Sequence, residues 1–104
     1  PPYRVLSFEP VSVNFRVLSD NIRANGLDHR VKAFNIGLWN QTSTFRMCSL
    51  AAQGLSGMSR LLAPGVTGEA TMREACREEM VALEKLDDVC ARERVGRVAL
   101  IKID

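Results

Sequence analysis

Close to its start the chain carries an apolar run, Val5-Leu6-Ser7-Phe8, that breaks on Glu9-Pro10. Its β-branched and aromatic content predicts a strand over residues 5–8. Pro10 stands at the start of the next element, where a missing N–H costs nothing. Val11, Phe15, Leu18 and Ile22 then recur at spacings of four, three and four. That is one face of a helix, with Arg16, Asp20 and Arg23 lying away from it. Burying each of the four apolar side chains contributes roughly 1.5–3 kcal/mol, enough to hold the helix against a sheet. Asn25-Gly26 supplies a left-handed stop. Residues 31–38, with Val31, Phe34, Ile36 and Leu38 as apolar members, read as a second strand. Strand, helix, short loop and strand make a βαβ unit, which is right-handed in nearly all cases.

Beyond this unit the pattern loosens. Residues 40–43 read as a turn, and 44–48 as a strand that pairs back in a hairpin. Residues 49–68 are rich in Gly, Ser and Ala and include Pro64-Gly65. They read as a long loop, either a cover facing the substrate or a surface excursion. Between 69 and 93, Met72, Cys76, Met80, Leu83 and Cys90 mark a helical face that Asp87 interrupts, so periodicity favours helix over 72–86. Residues 80–86 also suit an edge strand, with Asp87 or Asp88 capping a short helix behind it. Residues 97–103 read as a third buried strand, ending on Lys102-Ile103-Asp104.

With 104 residues, 46% of them hydrophobic and 25% charged, the chain has the size and composition of one modest globular domain. A net charge of +2, mixed along the sequence, offers no basic stripe for nucleic acid. No apolar run approaches the roughly 20 residues of a membrane helix. Cys48, Cys76 and Cys90 form no CxxC pair, so reduced thiols and a cytoplasmic location are the expectation. The single histidine, His29, lies in a polar turn, and no metal site is expected. Asn40-Gln41-Thr42 fits the glycosylation sequon, which matters only in a secreted parent. The chain begins Pro1-Pro2, shows no signal-peptide pattern, and stops at Asp104 directly after an apolar run. It reads as one partial domain, residues 1–104, of a longer protein.

Two predicted strands end on acids, Glu9 and Asp104. If these strands are parallel neighbours, both carboxylates lie at the edge where open α/β sheets bind ligands. A carboxylate on a ribose diol makes charge-assisted hydrogen bonds worth about 1.5–3 kcal/mol each. The same acids would equally serve as caps for helix N-termini, which the helix dipole favours. Residue types alone leave the two readings of Glu9 even.

The order of short motifs adds a further argument. Phe8-Glu9-Pro10, then Asn14, Leu18, Asn21-Ile22 and Asn25-Gly26-Leu27, resembles the second-strand and helix block of the FkbM-like methyltransferases. Gly37-Leu38 resembles that family's Ala-Leu after its third strand, and Leu86-Asp87-Asp88 its Leu-Asp-Asp. Leu100-Ile101-Lys102-Ile103-Asp104 resembles the start of its Lys-Ile-Asp-Val-Glu-Gly signature. The resemblance covers most of the chain and is weakest over 49–80.

The resemblance implies an α/β fold: part of the Rossmann-like, three-layer αβα sheet of a class I methyltransferase, without its first strand, glycine-rich loop and last strands. It implies S-adenosylmethionine as cofactor, with Glu9 at its ribose, Asn35, Ile36 and Gly37 near its adenine, and Pro10 also among the cofactor-binding residues. Asp104 would be the catalytic residue, opening the loop beneath the transferred methyl group and the substrate. It also implies a strand over 80–85, against the helical periodicity. The expected activity is O-methylation of a small-molecule or sugar hydroxyl by the longer parent, with this segment inactive alone. Departures from the family are Gly37 in place of alanine and the lack of an evident base. The alternatives are the dinucleotide-binding domain of a nicotinamide-dependent dehydrogenase, which also places an acid after its second strand, and a non-catalytic scaffold of the same fold.

Overall fold

The computed structural model describes residues 4–50, 55–61 and 77–104. Strand β1 (Val5–Phe8) leads into helix α1 (Ser12–Ala24) and then strand β2 (Val31–Phe34). β1 and β2 pair in parallel, Val5 opposite Val31 and Phe8 opposite Phe34. The two phenylalanine rings stack with centroids 5.2 Å apart, and the Lys32 ammonium lies 5.4 Å from the Phe34 ring centre. β1 is half-buried rather than fully enclosed, with Val5 exposed.

Helix α1 ends as its sequence requires. Gly26 takes φ +64°, its N–H donates to the Arg23 carbonyl, and the Leu27 N–H donates to the Ile22 carbonyl. This pair of bonds is the Schellman arrangement, which a side chain at the left-handed position would strain. Of the predicted apolar face, Val11 and Ile22 are buried, and Phe15 and Leu18 are half-buried.

The predicted single strand over 31–38 is two strands. The chain bends at Asn35 and leaves the first sheet, and β3 (Gly37–Leu38) joins a second one. That sheet holds β4 (Ser43–Leu50), β5 (Leu55–Leu61) and β6 (Arg77–Glu84) in the order β3-β6-β4-β5. β6 runs parallel to β3 and antiparallel to β4. The expected hairpin between the 31–38 strand and 44–48 does not form, because β6 takes the place between them. β4 pairs instead with β5, antiparallel.

This hairpin also replaces part of the loop expected over 49–68, whose residues 51–54 and 62–68 lie outside the described residues. Gly and Ser lower strand propensity, but β5 is an edge strand held by its ladder to β4, and pairing overrides propensity.

β6 resolves the ambiguity between helix and strand in favour of strand. Val81 and Leu83 are buried while Met80 and Ala82 are exposed, a period of two. Met80, which a helical face would bury, is 62% exposed. Met72 and Cys76 lie outside the described residues. Helix α2 (Leu86–Arg92) follows with Asp87 and Asp88 in its first turn; its N-cap is Lys85, not either aspartate. Arg92 reaches back to Glu84 at 2.7 Å.

The core lies on the second sheet. Val11, Met47, Val81 and Leu83 form one buried cluster, with Phe45 against it. Cys48 is 1% exposed and disulfide-bonded, whereas Cys90 carries a free thiol. The expectation of reduced thiols throughout is therefore corrected: wide, irregular cysteine spacing does not exclude a bond that tertiary packing creates.

The third predicted strand is absent. Residues 97–104 form no strand, and Val98, Leu100, Ile101 and Ile103 are exposed. Apolar content alone does not make a strand. The ladder needs a neighbour, and among the described residues none pairs with this segment.

Glu93 joins the two halves of the described chain. Its carboxylate lies 2.9 Å from Lys32 Nζ and 3.8 Å from Arg4, and Arg4 also donates to the Glu93 carbonyl. The hydrogen bond from Lys32 is the main cause that holds this carboxyl below the usual range, aided by the charges of Lys32, Arg4 and Arg92 and opposed by desolvation. A depressed carboxyl stabilises the fold above its unfolded pKa and loses that contribution as pH falls through its folded value. Lowering the pH from 7 to about 3 is expected to reduce the urea midpoint. Lys32→Met is expected to make that acid-side fall shallower, which urea titrations at a series of pH values would measure.

Candidate functional site

Of the site residues expected from sequence, Glu9, Pro10, Asn35, Ile36 and Gly37 lie about the C-terminal ends of β1 and β2. The Glu9 N–H donates to the Phe34 carbonyl at 2.9 Å, extending the β1–β2 ladder by one bond. Pro10 cannot donate and ends it. Val11 keeps an extended backbone as the N-cap of α1 and offers no capping side chain. The chain supplies the missing acceptors from elsewhere. Glu9 Oε1 accepts from the Val11 N–H at 3.0 Å. Glu79, on β6, accepts from the Ser12 N–H at 3.0 Å and from the Ser12 hydroxyl at 2.5 Å. Two carboxylates thus serve the positive end of a helix that has no acid in its own first turn.

Glu9 therefore has the helix-entrance role that was weighed against ligand binding. That role does not exhaust it. A carboxylate has about four lone-pair sites, and Glu9 Oε2 has no partner among the described residues.

Asn35 sits at the bend between β2 and β3. With its amide turned to suit its neighbours, the nitrogen donates to the carbonyls of Glu9 and Pro10, at 3.1 Å each. Its donors are thus spent on tying the end of β2 to the end of β1, and its oxygen remains as an acceptor. Ile36 is half-buried beside it.

Gly37 is buried, and the structure accounts for glycine there. A Cβ at this position would lie 2.7 Å from Leu83 Cδ2 and 3.5 Å from Pro10 Cβ. Glycine lets β3 approach β6 and the Glu9-Pro10 corner together. Gly37→Ala is expected to destabilise the protein by about 1 kcal/mol, because the Leu83 methyl must shift inside a packed core. Urea denaturation of the variant beside the wild type would show it.

Asp104 does not join this group. Its carboxylate is 88% exposed and pairs with Lys102 at 3.1 Å. Among the described residues no hydrogen bond or ion pair links it to Glu9, Pro10, Asn35, Ile36 or Gly37. The strand that was to carry it to the same sheet edge is not formed. The loop expected to face the substrate lies largely outside the described residues.

Sequence reasoning missed Glu79. It sits 67 residues from Ser12, and nothing in the local pattern signals so distant a contact. An open depression of about 330 Å3, lined by Trp39, Asn40, Lys85, Leu86 and Asp87, was not foreseen either. It lies where the ends of β3 and β6 meet the start of α2. Among the described residues no cluster of His, Cys, Asp and Glu is placed to hold a metal, and no helix is long and apolar enough to cross a membrane.

Comparison with protein-family models, with curated proteins and with solved structures finds no match to this chain.

Proposed function

We propose that this chain is the central segment of an S-adenosylmethionine-dependent methyltransferase of the FkbM-like kind, acting on a hydroxyl of a small molecule or sugar. The observation that carries the reading is the Glu9 carboxylate at the C-terminal end of β1, in a parallel β1–α1–β2 unit, with Oε2 unpartnered among the described residues. In an open α/β sheet that is the ligand-binding edge. The order of sequence motifs supports the same family, and the Rossmann-like three-layer sheet is part of the proposal.

The residues fit such a cofactor in two respects. Glu9 retains lone pairs for two ribose hydroxyls, and its bond to the Val11 N–H holds the carboxylate in place. The Asn35 oxygen remains an acceptor close to the Glu9-Pro10 backbone, suited to an exocyclic amine. Once bound, the cofactor supplies an electrophilic sulfonium methyl. The chain's own part is positioning: Glu9 orients the ribose, Asn35 locks the corner, and Gly37 keeps β3 close to it. Asp104 belongs to the reading only through the resemblance. The expectation of a cytoplasmic location rests on reduced cysteines, and the bonded Cys48 removes that support.

Ligand-observed nuclear magnetic resonance on the full-length protein tests the proposal. Saturation is expected to transfer from the protein to S-adenosylhomocysteine and not to NAD. Transfer to NAD alone would move the case to a dinucleotide-binding dehydrogenase. Transfer to neither, by folded protein, would leave a non-catalytic scaffold.

A further inference from the structure

We propose that Asn40 is the acceptor of an N-linked oligosaccharide and that the chain folds in an oxidising compartment. This goes beyond the methyltransferase reading and stands independently of it. Two separate observations carry it.

The first is the sequon. Of the five asparagines, only Asn40 is followed by the Asn-X-Ser/Thr pattern, as Asn40-Gln41-Thr42. The structure puts all three residues in the exposed connection between β3 and β4. The Asn40 amide makes no hydrogen bond among the described residues, so nothing must be broken to present it. A sequon buried in a strand or helix would be a chance match, whereas one in an exposed surface connection is accessible to the transferring enzyme.

The second observation is Cys48. It lies on the strand that follows the sequon, is 1% exposed, and is disulfide-bonded. Disulfides persist in secretory and extracellular compartments, and thiols stay reduced in the cytosol. The bond and the sequon are unrelated features of the sequence, and a lasting disulfide and glycosylation of the sequon belong to the same compartment.

The chemistry is a group transfer from a lipid-diphosphate-linked oligosaccharide. The Asn40 Nδ2 attacks the anomeric carbon, the new N–C bond forms as the C–O bond to the lipid diphosphate breaks, and the amide nitrogen loses one proton to solvent. No oxidant or reductant takes part. The attached sugar would stand over the polar connection and enlarge the solvated surface beside Trp39.

Peptide mapping of the full-length protein from the cells that make it tests the proposal. Trypsin releases residues 33–46 as one peptide. That peptide is expected to be missing at its unmodified mass and to appear, with Asn40 converted to aspartate, after treatment with a peptide N-glycosidase. Alkylation before reduction is expected to label Cys90 and not Cys48. Thr42→Ser keeps the sequon and is expected to keep the glycan, while Thr42→Ala loses it, which separates a lost acceptor from a misfolded chain. An unmodified 33–46 peptide without glycosidase, a glycan that survives in Thr42→Ala, or a Cys48 alkylated without reduction would overturn the proposal.

Discussion

Leu83→Ala is expected to lower the unfolding free energy by about 3 kcal/mol. Leu83 is 2% exposed and belongs to the cluster of Val11, Met47 and Val81. Its Cδ2 fills the space that Gly37 leaves open on β3. The loss has two parts: the transfer free energy of the removed methyls, and the void left behind. The void has little means of closing. β3 is held to β6 in register at that position, Gly37 opposite Leu83, and a glycine has no side chain to move inward. Urea unfolding with an unchanged slope would give the loss directly. A loss below about 1 kcal/mol would mean that the site collapses, and that the packing of β3 on β6 is looser than described.

Cys48→Ala is expected to destabilise the protein by about 2–4 kcal/mol through loss of the disulfide. The cross-link restricts the unfolded chain, and a small domain with a modest core depends on it more than a large one does. The residue is 1% exposed on β4, so alanine brings no buried polar group and the packing change is small. A reductant should therefore lower the wild-type urea midpoint toward that of the variant and leave the variant unchanged. Equal response of both proteins to reductant would show that the bond contributes nothing to stability.

The elements legible in the sequence were those specified by neighbours along the chain. β1, α1 and its stop are local: an apolar run, spacings of four and three, and a glycine that takes φ +64°. The grouping of Glu9, Pro10, Asn35 and Gly37 follows from the parallel pairing of β1 with β2. What escaped reading depends on contacts between distant residues. β6 inserts between β3 and β4, which no periodicity announces. Glu79 completes the N-terminus of α1 across 67 residues. The Cys48 bond is tertiary in the same sense. Residues 97–103 failed in the opposite direction: their apolar content suits a strand, and the ladder that would make them one is not formed.

Glu9 is the residue on which the functional account turns, because it serves the entrance of α1 and is assigned the cofactor ribose. Isothermal titration of the full-length protein with S-adenosylhomocysteine, comparing wild type with Glu9→Ala, tests that assignment most directly. The account predicts binding by the wild type and at least a tenfold loss in the variant, about 1.4 kcal/mol, while urea unfolding shows the variant still folded. Undiminished affinity in a folded Glu9→Ala protein would contradict it and leave Glu9 as a support of the helix entrance alone.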